Sequence, residues 1–195
     1  MEQRKEFAVV AGPNGAGKSS LSKYYIKTEC FDGDLMALNL RREHPDWPER
    51  WISGTVASEL EKQKQNAIDN KKDFAFETNF SNDLIINMIN EFKNAGYKIS
   101  LFYFGINYEK LSLLRVHERM NLGGHNVADN VVKYNFVECP KRVVQHLDLF
   151  DYMMFIDGIM PYGKIVANIR KRDNYKEFAD VLPRWFAEGF MALFP

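Results

Sequence analysis

This chain reads as a three-layer α/β fold, a mainly parallel central sheet flanked by helices, and three features carry that expectation. Short apolar runs bounded by turn residues alternate with polar–apolar stretches of helical length, the pattern of βα units. A glycine-rich loop stands between the first such run and the first helix. Polar residues, several of them carboxylates, follow directly on the apolar runs, where an open parallel sheet gathers its ligand-binding groups.

The elements can be justified in order. Phe7-Ala8-Val9-Val10-Ala11 is short and apolar, suited to a buried strand. Residues 20–27 can form the helix after the loop, and Cys30-Phe31-Asp32 is a second strand candidate. A helix over about 35–43 stops at His44-Pro45-Asp46-Trp47-Pro48, because proline neither donates an N–H nor fits the preceding turn. Residues 55–71 form a long, largely charged helix with Val56, Leu60 and Ile68 as its apolar residues. Phe74-Ala75-Phe76 is a third strand. Ser81-Asn82-Asp83 caps a helix that runs to Ala95 and ends at Gly96. Residues 98–104 make a fourth strand, 108–122 a helix, and Gly123-Gly124 a break. Residues 153–156 and 164–167 read as late strands. The chain closes with a helix over about 175–193, bent at Pro183. A helical lid spans about 108–147, all within one domain covering 1–195, since domains commonly run ~50–250 residues.

The loop Gly12-Pro13-Asn14-Gly15-Ala16-Gly17-Lys18-Ser19 fits G-x-x-x-x-G-K-[ST] at every fixed position and is followed by Ser20. Its glycines let successive N–H groups turn inward on phosphate oxygens, and the following helix N-terminus adds a favourable dipole. Lys18 reaches the β- and γ-phosphates and the Ser19 hydroxyl holds Mg²⁺, so ATP and Mg²⁺ are the expected cofactors. An ordinary glycine-rich turn is the bland alternative. With Gly at ~7% of average usage a chance match is well under about one in a hundred, which decides for a nucleotide site. The fold expected is that of a phosphate-binding-loop kinase.

Other candidates converge on the same sheet end. Asp32 and Asp34 follow the second strand, Glu77, Thr78 and Asn79 the third, and Asp157 the fifth. A carboxylate there suits a general base acting on an acceptor hydroxyl. Helix capping is the competing role for Asp32 and, less so, for Asp34. A solvated strand end is the alternative for Glu77. Arg115 and Arg119, spaced i, i+4, share a helix face and can clamp an anionic phosphoryl group, surface ion pairing being the alternative. His117 lies off that face. His125, after the two glycines, is a ligand-facing candidate of low weight. Trp47, Trp51 and Trp185 are read as packing residues.

Composition narrows the function classes. Lys+Arg and Asp+Glu both number 26, which gives no bulk electrostatic support for a nucleic-acid or membrane partner. Cys30 and Cys139 have no metal or redox spacing and read as reduced thiols. A polar N-terminus and the lack of any apolar run of transmembrane length point to the cytoplasm.

Together these motifs resemble the zeta-toxin family of P-loop kinases, especially its chromosomal branch often labelled "predicted ABC-type ATPase". The resemblance rests on residues 11–20, on Phe31-Asp32-Gly33-Asp34, on Phe76-Glu77-Thr78-Asn79-Phe80-Ser81, and on Arg115-Val116 through Arg119 to Gly123-Gly124-His125-Asn126-Val127. It runs over about residues 6–160. It implies ATP-dependent phosphorylation of a UDP-activated amino sugar, typically UDP-N-acetylglucosamine at its 3′-hydroxyl. Asp34 stands at the family's base position. Glu77 and Thr78, followed by Asn79 where the family usually has a second Thr, stand at the acceptor-binding segment. Arg119, with Arg115, stands at a phosphate clamp, and an antitoxin protein is the implied partner. The chain departs from the family after Val127. Ala128 replaces a proline, and the arginine-rich turn becomes Lys133-Tyr134-Asn135-Phe136, with Asn135 at a phosphate-contacting arginine position. Asp157-Gly158-Ile159 replaces the family's D-N-S. Lys133 or Arg142 could compensate, although a lysine cannot form the bidentate fork. A small-molecule kinase is therefore the leading reading, and a catalytically degenerate nucleotide-binding module acting through a protein partner is the second. A transport or DNA-repair ATPase is disfavoured, because no L-S-G-G-Q signature or adjacent Asp-Glu strand end is present.

Overall fold

The computed structural model describes residues 4–124, 127–158 and 162–194. His125, Asn126 and Ile159, named above, lie outside them. Among the described residues seven strands form one sheet in the order β2-β3-β1-β4-β5-β6-β7. The strands are β1 (Glu6–Ala11), β2 (Cys30–Phe31), β3 (Phe74–Thr78), β4 (Lys98–Gly105), β5 (Tyr152–Asp157), β6 (Lys164–Arg170) and β7 (Tyr175–Phe178). The first five pair in parallel and the last two add antiparallel. Strand β1 is central, with Val9 in register between Phe76 and Leu101. Its residues are buried on both faces, which explains an unbroken apolar run instead of an alternating one.

Successive side chains of β1 point to opposite layers. Phe7, Val9 and Ala11 join a core with Ile85, Ile89 and Phe92 of α4 (Leu84–Asn94), Val143 of α6 (Asp129–Gln145), and Phe186 of α7 (Arg184–Gly189). Ala8 and Val10 face a smaller core with Leu21 of α1 (Lys18–Leu21), Phe102 and Phe104, against which Leu111 of α5 (Glu109–Asn121) packs. The remaining helices, α2 (Gly33–Glu43) and α3 (Glu49–Asp69), pack on each other beside the β2 edge. No helix among the described residues is long and apolar enough to cross a membrane.

Three expectations change. The helix after the loop is shorter than 20–27, because α1 gives way to a 3₁₀ turn over Ser22–Tyr24. The long helix begins at Glu49, with Pro48 as its N-cap, where a proline's missing N–H costs nothing. The closing helix over 175–193 does not form. Residues 175–178 pair along β6 as the sheet edge, and Pro183 opens α7 instead of bending a helix through itself. Trp185 packs as expected, its ring so close to Gly105 that an added Cβ would sit 2.2 Å from it. Trp51, 54% exposed, lies outside the core and makes an edge contact with the Trp47 ring.

Candidate active site

The loop after β1 takes its shape from two close approaches. Gly12 has φ 150°, and a Cβ there would lie 2.2 Å from the Phe104 carbonyl oxygen on β4. Gly158, after β5, presses on Ala16, whose carbonyl oxygen would meet a Cβ at 1.8 Å. Any side chain at either position would push the loop off the sheet. Gly17, in the left-handed region at φ 94°, then turns the chain into α1.

Helices α5 and α6 fasten the loop from behind. Ser112 Oγ donates to the Asn14 carbonyl, and Arg115 donates from one terminal nitrogen to the carbonyls of Gly15 (3.1 Å) and Gly158 (2.9 Å). Asn135 Nδ2 donates to Asn14 Oδ1 at 2.8 Å, with both side chains buried. Asn135 is thus a packed strut of the loop and not a residue facing the phosphate site. Its side chain is spent on Asn14, and α6 closes over it. Lys133 is exposed, and Arg142 pairs with Asp83, so neither fills the clamp position. Ser112 is the functional contact sequence reasoning missed; its signal was the shared α5 face at 112, 115 and 119.

In front of the loop lies a cleft of about 400 Å³ lined by Asn14, Gly15, Lys18, Ser19, Ser20, Asp34, Glu77, Asn79, Arg115, Arg119 and Gly158. That size lies in the range of small-ligand sites. Lys18 Nζ donates to the carbonyls of Gly12 (2.8 Å) and Pro13 (3.1 Å) and to Asn79 Oδ1 (2.9 Å). Ser19 Oγ donates to Glu77 Oε1 at 2.9 Å. Burial raises the Glu77 carboxyl to about 7; Lys18 and the Ser19 hydrogen bond oppose that rise, while Asp32 and Asp34 add to it. A carboxyl raised this way by burial and neighbouring acids, touching the loop serine, suits a divalent cation. Ser19 and Glu77 are the residues here that fit Mg²⁺.

The two acids after β2 separate in role. Asp32 is the N-cap of α2, accepting from the Leu35 N–H at 3.0 Å. Asp34, exposed in the first turn of α2, lines the cleft. Arg119 lines it from α5, and its guanidinium makes no hydrogen bond or ion pair among the described residues. His117 pairs with Asp129 at the surface. Thr78 is partly committed, its Oγ1 accepting the Phe80 N–H at 2.9 Å. Phe80 has φ 54° and is fully buried, a conformation costing about 1–3 kcal/mol that its packing must over-determine. This turn brings Glu77 and Asn79 onto the loop, while Thr78, expected to bind the acceptor, does not line the cleft. A larger cleft of about 1730 Å³ opens at the other end of the strands. Its acids are occupied internally, Glu6 by Lys98 and Ser100, Asp151 by the Ile99 N–H and Asp173 by Arg170, and it lacks the loop chemistry.

The family model described as Zeta toxin matches residues 1–174, a span that takes in the loop, both acids after β2, the turn after β3 and the arginines of α5. A Haemophilus influenzae protein (strain ATCC 51907 / DSM 11121 / KW20 / Rd), described as uncharacterized, is 30% identical over 127 residues, which is 64% of this chain and 88% of that protein. The PezAT chromosomal toxin–antitoxin system of Streptococcus pneumoniae contains a chain of the same fold, with TM-score 0.64 and 17% identity over 92% of this chain and 76% of its own. The AvrRxo1-ORF1:AvrRxo1-ORF2 complex with ATP aligns with TM-score 0.68 and 14% identity over 98% of this chain. There this chain spans 64% of its counterpart, just under two thirds.

Proposed function

This chain belongs to the zeta-toxin family, and on that premise we propose that it is a kinase moving the γ-phosphoryl group of ATP to a hydroxyl of a nucleotide-sugar-like acceptor, UDP-N-acetylglucosamine by resemblance. The observation that carries the reading is the position of Lys18, at the hub of the loop and facing a cleft that Asp34, Glu77 and Arg119 share. The loop N–H groups receive the phosphates, and Lys18 places a point charge between the β- and γ-groups. Asp34 takes the acceptor's hydroxyl proton as its oxygen bonds to the γ-phosphorus, and the β–γ bridging bond breaks to release ADP. Arg119, otherwise uncommitted, meets the charge on the transferring group. Arg115 shapes the floor beneath it. Ser19 and Glu77 would hold Mg²⁺, which when bound neutralises the charge shared by the β- and γ-oxygens. Glu77 thereby takes a metal-side role as well as the acceptor-side one the resemblance implies, because the Ser19 contact points it toward the loop.

A second reading, a nucleotide-binding module acting through an antitoxin-like protein, rests on the departure at Asn135, which stands where the resembling family has a phosphate-contacting arginine. Cytoplasmic residence, where ATP and nucleotide sugars are available, suits both readings. The deciding experiment incubates the protein with ATP, Mg²⁺ and a panel of nucleotide sugars, followed by mass spectrometry. A phosphate-sized gain on one acceptor is the expected result. ATP binding without turnover of any acceptor favours the second reading.

A further inference from the structure

An ammonium has three N–H donors, and on Lys18 all three are taken. Two go to carbonyls of Gly12 and Pro13, which belong to the loop itself and are held by its packing on β4. The third goes to Asn79, the only side chain of the three acceptors. Asn79 stands just beyond β3, half-buried on the cleft wall, and can leave Lys18 by rotating its own side chain. A phosphate oxygen arriving at Lys18 must displace one acceptor, and this is the one free to move.

We propose that Asn79 is a positioning residue that occupies the phosphate-oxygen place on Lys18 in the empty enzyme and is displaced when a triphosphate enters. The inference rests on the reading of residues 12–19 as a triphosphate site. A neutral amide is well matched to this role, since it satisfies the ammonium's third donor yet yields to a phosphate oxygen carrying charge. Lys18 is only 7% exposed, so without Asn79 its third donor has little water to turn to. Asn79 therefore stabilises the empty state and not the occupied one, and so lowers nucleotide affinity.

The consequence has an unusual sign. Asn79→Leu removes the competitor and leaves the nucleotide-bound state intact, so Mg²⁺-ATP should bind roughly tenfold more tightly, the scale of one hydrogen bond to a charged group. Asn79→Asp holds Lys18 more firmly and should bind roughly tenfold more weakly. Calorimetric titration of the full chain with Mg²⁺-ATP, and separately with tripolyphosphate, reads both shifts. The ratios should match for the two ligands, because the competition is at Lys18 and not at the base. A role limited to holding the fold would weaken binding in both variants. Equal or weaker binding by a folded Asn79→Leu, judged by circular dichroism, overturns the proposal. If Asn79→Leu does not fold, Asn79→Ser, too short to reach Lys18, carries the same expectation. Failure of the unaltered protein to bind either ligand overturns the loop reading along with it; normal binding with no divergence between variants overturns the placeholder alone.

Discussion

Replacing Asn135 tests whether the loop is held by α6 or merely lies beside it. Asn135 and Asn14 are each 4% exposed, and a single 2.8 Å bond joins their side chains. Asn135→Leu leaves the Asn14 side chain buried without its donor, which costs about 1–3 kcal/mol. For a chain of this size each kcal/mol lowers Tm by about 2–4 °C, so a fall of roughly 2–12 °C is expected. Asn135→Arg is worse, since it adds volume and an unpaired charge to the same sealed space. The family pattern alone suggests the opposite, that restoring an arginine at 135 speeds transfer. The structure gives no room for that side chain to reach the cleft without displacing the Asn14 contact. Thermal melts and turnover of both variants, with an Asn14→Leu/Asn135→Leu cycle, measure the coupling; contacting pairs commonly show about 0.5–3 kcal/mol. An Asn135→Leu protein melting within about 1 °C of the parent, or a faster Asn135→Arg enzyme, would refute the strut.

Four further outcomes are expected. Asp34→Asn should lose about 10²–10⁴-fold in kcat with ATP binding spared. Asp32→Asn should instead leave the rate nearly unchanged, since Asn also caps helices, and a large rate loss there would transfer the base to Asp32. Glu77, raised from 4.5 to about 7, binds its proton more tightly folded than unfolded, so its contribution to stability falls as pH rises from about 4.5 to 7. Glu77→Gln should flatten that part of the ligand-free melting profile; an unchanged slope places the titration elsewhere. Arg119→Ala should lower kcat by up to about 10³–10⁵-fold, whereas a change confined to the KM for ATP would make Arg119 a ground-state contact.

The parts of this protein written locally in the chain were legible before the structure. The loop motif, the apolar run of β1 and Asn82, whose Oδ1 accepts the Leu84 N–H at the start of α4, each state their conformation within a few residues. The same holds for the alternation of βα units, which sets the carboxyl ends of the parallel strands along one edge of the sheet. What was not legible depended on distant partners. Residues 175–178 have a composition that a helix accepts, and only pairing with β6 draws them into the sheet. Asn135 looked like an eroded arginine because its partner, Asn14, lies 121 residues away. The contact of Glu77 with Ser19, 58 residues apart, joins two motifs that in sequence had separate roles.

That last class of contact explains how the site divides its cations. A face of α5 presents Ser112, Arg115 and Arg119 at i, i+3 and i+7, and sequence alone treats the two arginines as a pair. Both line the cleft, but one terminal nitrogen of the nearer is bound to the carbonyls of Gly15 in the loop and Gly158 after β5, while the guanidinium of the farther has no partner among the described residues. An arginine nitrogen engaged with backbone oxygens stabilises the loop in every state, and so contributes equally before and during transfer. Only a cation whose interaction grows as charge develops lowers the barrier. By that criterion Arg119 is the arginine we propose for the transition state, and the Arg115 nitrogen bound to Gly15 and Gly158, like Asn135, belongs to the scaffold that keeps the loop ready.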